Sequence, residues 1–223
     1  MTSEISSAVA NGSAGRGDAV KIAVLVSGGG TNLQALIDAE ASGIIKSGRI
    51  SLVISSKPGV YALERAKKAG IPATVVHRAS LSQEDFESGI RKLLDEYGIG
   101  LIILAGFMSI LSPEFTSKYP ERIINVHPAL IPSFCGKGYY GLRVHRAALD
   151  RGVKLTGATV HFVNEIPDGG RIIMQKAVEV KDGDTPEILQ RRVMEEAEWK
   201  MLPESAEKVC AGILAAGAEG SGL

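Results

Sequence analysis

Apolar residues along this chain follow two alternating patterns: short runs rich in Val, Ile and Leu, and longer stretches in which apolar positions recur every third or fourth residue. The first run, residues 21–26 (KIAVLV), stops at Ser27-Gly28-Gly29-Gly30, as a buried parallel strand does when it ends in a glycine loop. A helix is expected directly after it, capped by Thr31 or Asn32 and carrying Leu33, Leu36 and Ile37 on one side. The alternation continues with strands at 50–54, 74–76, 101–104 and 122–126 and helices at 61–69 and 83–97. That order predicts a doubly wound α/β fold, a mostly parallel sheet with right-handed crossovers and helices on both faces.

Past a helix expected at 142–150 the pattern changes. Two strand-like runs, 156–163 and 171–180, are joined through Pro167-Asp168-Gly169-Gly170, a turn that permits antiparallel pairing. Asp184-Thr185-Pro186-Glu187 then opens a final helix bearing Leu189, Val193, Trp199 and Met201. No internal repeat is visible. The reading is a single Rossmann-like domain over 20–216 with antiparallel C-terminal strands, a disordered leader at 1–19 and a flexible tail at 217–223.

Composition narrows the function classes. Lys plus Arg and Asp plus Glu are each 25 in 223 residues, so no broad field steers the chain to nucleic acid or an anionic membrane, and any bound anion needs a local site. No stretch approaches the roughly 20 apolar residues that span a bilayer, and a soluble intracellular protein, monomer or homodimer, is expected. Cys135 and Cys210 stand far apart without metal-ligand spacing, which suits a reducing compartment and gives no metal site. The leader sets Glu4 and Asp18 against a single Arg16, unlike an Arg-rich transit peptide, and favours the cytoplasm.

Three segments carry candidate chemistry. Ser27-Gly-Gly-Gly-Thr-Asn32 collects glycine amides at a helix N-terminus, a phosphate cradle that matches neither the Walker A nor the GxGxxG pattern; its plainer reading is a tight turn. Asn125 and His127 leave a strand two residues apart, so an amide donor and an imidazole share one face and can meet at one oxyanion; a lone histidine there is otherwise structural. Asp168 sits in a glycine-rich turn, where Asp is usually turn chemistry, and gains interest from a pairing with His127 that would favour the imidazolium. Thr159 and His161 are candidate supports, while His77 and His145 are left as structural. No Ser/His/Asp triad is legible, so acyl transfer without a covalent enzyme intermediate is the economical reading.

These residues, read with VLVSGGGTNLQALIDA, LAGFMSILSP, INVHPALIPSF and GATVHFVNEIPDGGRIIMQ in that order from about Lys21 to about Ala215, resemble the monofunctional phosphoribosylglycinamide formyltransferases, the glycinamide ribonucleotide transformylases of purine biosynthesis. The resemblance implies a catalytic trio of Asn125, His127 and Asp168. It implies ribonucleotide contacts at Gly29, Gly30, Thr31, Asn32, Pro128 and Glu198. The co-substrate it implies is 10-formyltetrahydrofolate, held by Phe107, Met108, Ser109, Ile110 and Leu111 with Asn125, Val163, Glu165 and Asp168. In the implied mechanism the glycinamide amine attacks the formyl carbon directly. Asn125 and a protonated His127 hold the oxyanion, and Asp168 keeps the imidazole charged and helps pass a proton, through water, to the departing folate nitrogen.

The chain departs from the family pattern at three places. Gln83 and Ser109 stand where arginines often flank the folate glutamate tail; residues 137–141 (KGYYG) are longer than in the bacterial type and look plant or algal, for which a plastid stroma would be the address; and one extra residue lies between Val193 and Glu198. A methionyl-tRNA formyltransferase or a formyltetrahydrofolate hydrolase shares the core motif but should be longer, and a non-catalytic folate or nucleotide-binding module would not need Asn125, His127 and Asp168 together.

Overall fold

The computed structural model describes residues 19–220. Seven strands, β1 (Val20–Val26), β2 (Gly48–Ser55), β3 (Ala73–Val75), β4 (Leu101–Leu104), β5 (Ile123–His127), β6 (Leu155–Phe162) and β7 (Ile172–Glu179), make one sheet in the order β3-β2-β1-β4-β5-β6-β7. The pairs among β1 to β5 are parallel, and β6 and β7 are antiparallel. The order reverses between β1 and β4, the switch point outside which open α/β sheets form their ligand crevices.

Seven helices cover the sheet: α1 (Thr31–Ala41), α2 (Tyr61–Lys68), α3 (Gln83–Tyr97), α4 (Pro113–Ser117), α5 (Leu142–Arg151), α6 (Pro186–Val193) and α7 (Trp199–Gly220). Alternate residues of β1 serve opposite cores. Ile22, Val24 and Val26 pack with Leu33 and Leu36 of α1, Ala62 of α2, Leu189 of α6 and Leu202 of α7. Ala23 and Leu25 pack with Phe86, Ile90 and Leu94 of α3 and Phe115 of α4. Burial on both faces is why the strands read as unbroken apolar runs. The spacing of Phe86, Ile90 and Leu94 lays one stripe of α3 on the sheet. Ser82 caps that helix by accepting from the Asp85 N–H, and Gly98 ends it in the left-handed region. Truncating the fully buried Phe86 to Ala would cost about 3–5 kcal/mol.

Three features differ from the pattern-based reading. A short helix, α4, lies between β4 and β5, with Ser112 as N-cap and Pro113 in its first turn. The final helix is two helices, α6 and α7, joined by a π-helical turn at Met194–Glu198. And α7 runs on to Gly220, past the boundary expected at 216. The leader at 1–18 lies outside the described residues. No helix among those described is long and apolar enough to cross a membrane.

Candidate active site

β5 delivers two of the central groups. Asn125 and His127 share a face of the strand, and the register with β6 sets His161 beside Asn125 and Thr159 beside His127. Asn125 Nδ2 lies 3.3 Å from His161 Nε2. His161 Nδ1 faces the Phe162 carbonyl at 2.8 Å, so a ring proton is assigned there. Thr159 braces the strand exit, donating to the Ala129 carbonyl at 2.7 Å and accepting from the Ile131 N–H at 3.1 Å. Gln175 of β7, which sequence reasoning did not single out, joins this brace through the Ile131 carbonyl and the Thr159 hydroxyl. Pro128, half-buried, follows His127 directly.

Asp168 arrives by a longer route than its place in the sequence suggests. Because β6 is antiparallel, its C-terminal end lies at the amino edge of the parallel strands, and residues 163–171 fold back over the sheet to reach His127. Gly170 allows the fold: a side chain there would run into the Phe162 carbonyl. Asp168 itself has φ 57°, a left-handed conformation that Asp tolerates better than most residues. Its Oδ2 stands 3.6 Å from His127 Nδ1 and accepts the Gly136 N–H at 2.8 Å, while Oδ1 stands 3.6 Å from His161 Nε2.

Burial and charge compete at this pair. For Asp168, burial would raise the carboxyl, but His161, His127 and the Gly136 N–H together hold it below the usual carboxylate value. For His127, burial lowers the imidazole below 6.5 and outweighs the Asp168 carboxylate and the Phe134 carbonyl, which pull the other way; His161 lowers it further. At 4% exposure an imidazolium has lost most of its hydration, so burial opposes the charge that Asp168 favours on this ring. His127 Nε2 donates to the Phe134 carbonyl at 2.8 Å, so both ring nitrogens already have neighbours.

The glycine loop forms as expected but is capped differently. Gly30, not Thr31 or Asn32, is the N-cap of α1; it sits at φ 73° and a Cβ there would press on Ala62. No side chain caps this helix, so its first N–H groups stay open beside the exposed Gly29 and half-buried Thr31. Asn32 is committed elsewhere, donating from Nδ2 to Glu198 Oε2 at 2.8 Å across 166 residues of sequence, with its own Oδ1 buried and unpartnered. Burial pushes the Glu198 carboxyl up to about 7, against the opposing pull of the Asn32 amide. Glu198 ends the π-helical turn. A π-helical turn is wide enough to take up one additional residue within a helix. Arg65 on α2, missed in the sequence, donates to the Gly29 carbonyl at 2.9 Å and lines a groove of about 500 Å³ with Thr31, Trp199 and Lys200.

The five-residue stretch after β4 divides. Met108 and Ile110 are exposed, at 49% and 70%, and with Ser109 they line a cleft of about 780 Å³. Phe107 and Leu111 instead turn into the α3 core, where Phe107 stacks on Phe86 at 6.3 Å. The Met108 N–H donates to Ser27 Oγ at 2.9 Å, and that hydroxyl meets Ser56 Oγ at 2.6 Å, so the ends of β1, β2 and β4 are tied together. Val163 and Glu165 line a separate hollow of about 310 Å³ with Glu121 and Arg171. His145, read as structural, is fully buried on α5 with both ring nitrogens unpartnered, and burial together with the nearby His127 pushes it down to about 4.

An amide, an imidazole with a carboxylate behind it and a glycine loop with open N–H groups meet at one edge of a doubly wound sheet. The formyl transferase family model matches residues 20–205, and the chain belongs to that family, among its phosphoribosylglycinamide formyltransferases. The chain is 42% identical over 184 residues to the phosphoribosylglycinamide formyltransferase of Haemophilus influenzae, covering 82% of this chain and 84% of that protein. It is 45% identical over 202 residues to the trifunctional purine biosynthetic protein adenosine-3 of Gallus gallus, covering 90% of this chain but only 19% of that protein's length. The crystal structure of glycinamide ribonucleotide transformylase 1 from Symbiobacterium toebii superposes with a TM-score of 0.82 at 40% identity, over 91% of this chain and 92% of that one.

Proposed function

We propose that the chain transfers the formyl group of 10-formyltetrahydrofolate to the amine of glycinamide ribonucleotide. The observation that carries this reading is the convergence of Asn125, His127 and Asp168, from one strand and a folded-back loop. The ribonucleotide phosphate takes the open N–H groups at the start of α1, with Arg65 and Lys200 nearby, and the Asn32–Glu198 pair receives ribose hydroxyls.

The amine lone pair attacks the formyl carbon, and the carbonyl electrons move onto oxygen, where the Asn125 amide receives the negative charge. The new C–N bond leaves the attacking nitrogen cationic. His127, neutral at rest, takes that proton, and the Asp168 carboxylate stabilises the imidazolium as it forms. The imidazolium returns a proton to folate N10, the C–N10 bond breaks, and the C=O bond re-forms. Nε2 holds the ring proton that the Phe134 carbonyl accepts, so for Nε2 to take the amine proton the ring proton must sit on Nδ1, which faces the Asp168 carboxylate at 3.6 Å. Every group invoked comes from one chain, so a monomer or a homodimer would carry a complete site. Two free thiols, Cys135 and Cys210, fit a reducing compartment such as the cytoplasm, or a plastid stroma in a plant or algal source.

Formyl loss from a 10-formyl folate analogue, followed by absorbance with and without glycinamide ribonucleotide, tests the proposal. Loss that requires the ribonucleotide is expected. Loss without it would indicate a hydrolase, and none under either condition would leave a binding module.

A further inference from the structure

The groove of about 500 Å³ between α1 and α7 is lined by none of Asn125, His127 and Asp168, and the proposed chemistry uses only the end of it beside the glycine loop. The two helices run the same way along it. Asn32 meets Glu198 where both begin, and the Lys46 and Ser47 N–H groups just past α1 donate to Glu207 further along α7. Charge is sorted along this length. Arg65 and Lys200 stand with Thr31 at the near end. Asp38 comes seven residues after Thr31 on α1, about 10 Å along the axis, and Glu204 comes one turn after Lys200 on α7. Gln34 holds the two ends apart, accepting from Arg65 Nη1 at 2.9 Å and donating to Asp38 Oδ1 at 2.8 Å. Neither Arg65 nor the exposed Lys200 has an acidic partner among the described residues. Between the ends the lining is Ala35, Ala39, Pro203 and the half-buried Trp199.

Cations, then a flat apolar stretch with an indole, then carboxylates is the order of groups that a purine nucleotide needs: phosphate, base, and the donors on the far edge of the base. The axial span from Thr31 to Asp38 is comparable with the distance from that phosphate to that edge. The carboxylates also select among bases, because an ionised carboxylate only accepts. Guanine sets its N1–H beside its exocyclic amine, two adjacent donors. Adenine sets an acceptor beside its amine, and hypoxanthine has no amine.

We propose that the α1–α7 groove is a second ligand site, for guanosine 5′-monophosphate, with the phosphate on Arg65 and Lys200, the base against Trp199 and the Ala35–Ala39 face of α1, and the guanine N1–H and amine on Asp38 and Glu204. The same two cations lie beside the cradle for the phosphate of glycinamide ribonucleotide, so the two ligands exclude each other and the nucleotide inhibits by competing with that substrate. The competition rests on the formyl-transfer reading; the binding does not.

Trp199 is the chain's one tryptophan, so its fluorescence reports on this groove alone. The test titrates guanosine, adenosine and inosine 5′-monophosphates against that signal in the native protein and in the double variant Asp38→Asn/Glu204→Gln, whose exposed, nearly isosteric changes leave the fold intact. The guanosine nucleotide should quench saturably and bind about fivefold or more tightly than the other two, and the double variant should weaken it by about tenfold or more while leaving the affinity for ribose 5-phosphate unchanged. No saturable quenching, equal affinity for the adenosine nucleotide, or an unchanged affinity in the double variant overturns the proposal. In turnover, the guanosine nucleotide should raise the KM for glycinamide ribonucleotide and not that for the folate analogue; the reverse pattern would move the nucleotide to the folate cleft and overturn it. Should no formyl group be transferred at all, quenching that is lost in the double variant still establishes the site.

Discussion

Two opposing influences set the proton affinity of His127, and their balance decides the part it takes in the proposed transfer. Desolvation exceeds the attraction of Asp168, so the ring rests neutral and its pKa lies below 6.5. If the neutral ring is the working form, kcat/KM stays level through neutrality and falls as pH drops through that lowered pKa. Asp168→Asn removes the charge that favours the imidazolium, so its acid limb should move to lower pH while turnover falls by about 10²-fold or more. Turnover within threefold of the native protein, with the acid limb unmoved, would remove Asp168 from the mechanism. His145 gives a stability test with the same sign. Its pKa is near 4 folded against 6.5 unfolded, so the unfolded chain binds the extra proton between those values, and stability is lost as pH falls through that window. The loss amounts to about 3 kcal/mol by pH 4. Urea unfolding of His145→Phe at pH 7 and pH 4 should show a smaller acid loss than the native protein; an equal loss would place the proton uptake elsewhere.

The elements differ in how openly the sequence announces them. β1, β2 and β4 were legible because strands buried on both faces read as short apolar runs, and α3 because Phe86, Ile90 and Leu94 repeat with the helical period. A helix as brief as α4 has no period to show; its only signal was Ser112-Pro113-Glu114, a cap followed by a first-turn proline. The π-helical turn at Met194–Glu198 was illegible because side-chain spacing does not report which carbonyl an N–H chooses. Its proposed role as the absorber of one residue can be tested by deletion. Removing the exposed Glu196 should restore an ordinary helix and keep Asn32 on the glutamate, leaving the KM for glycinamide ribonucleotide within about threefold. Glu198→Ala, by contrast, should raise that KM by about tenfold or more through loss of a buried hydrogen bond to Asn32. A deletion variant that behaved like Glu198→Ala would show that the turn sets the glutamate's direction and does not merely accommodate the extra residue.

At the scale of the molecule, the switch between β1 and β4 brings the glycine loop, the Met108 wall and β5 to one edge of the sheet. Asn125 and His127 could be paired from their spacing alone, since a strand's period is local. Arg65, Gln175 and the partnership of Asn32 with Glu198 could not, because each meets its neighbours through tertiary topology. The resting charge of His127 was hidden for the same reason: desolvation is a property of the packed chain.

The central claim is that this edge performs formyl transfer with Asn125 receiving the charge that develops on oxygen. Single-turnover transfer by Asn125→Ala, measured beside its equilibrium affinities for the ribonucleotide and the folate analogue, tests it most directly. The expected result is a rate lowered by about 10²–10³-fold with both affinities within a few-fold of the native protein; an undiminished rate would contradict the account.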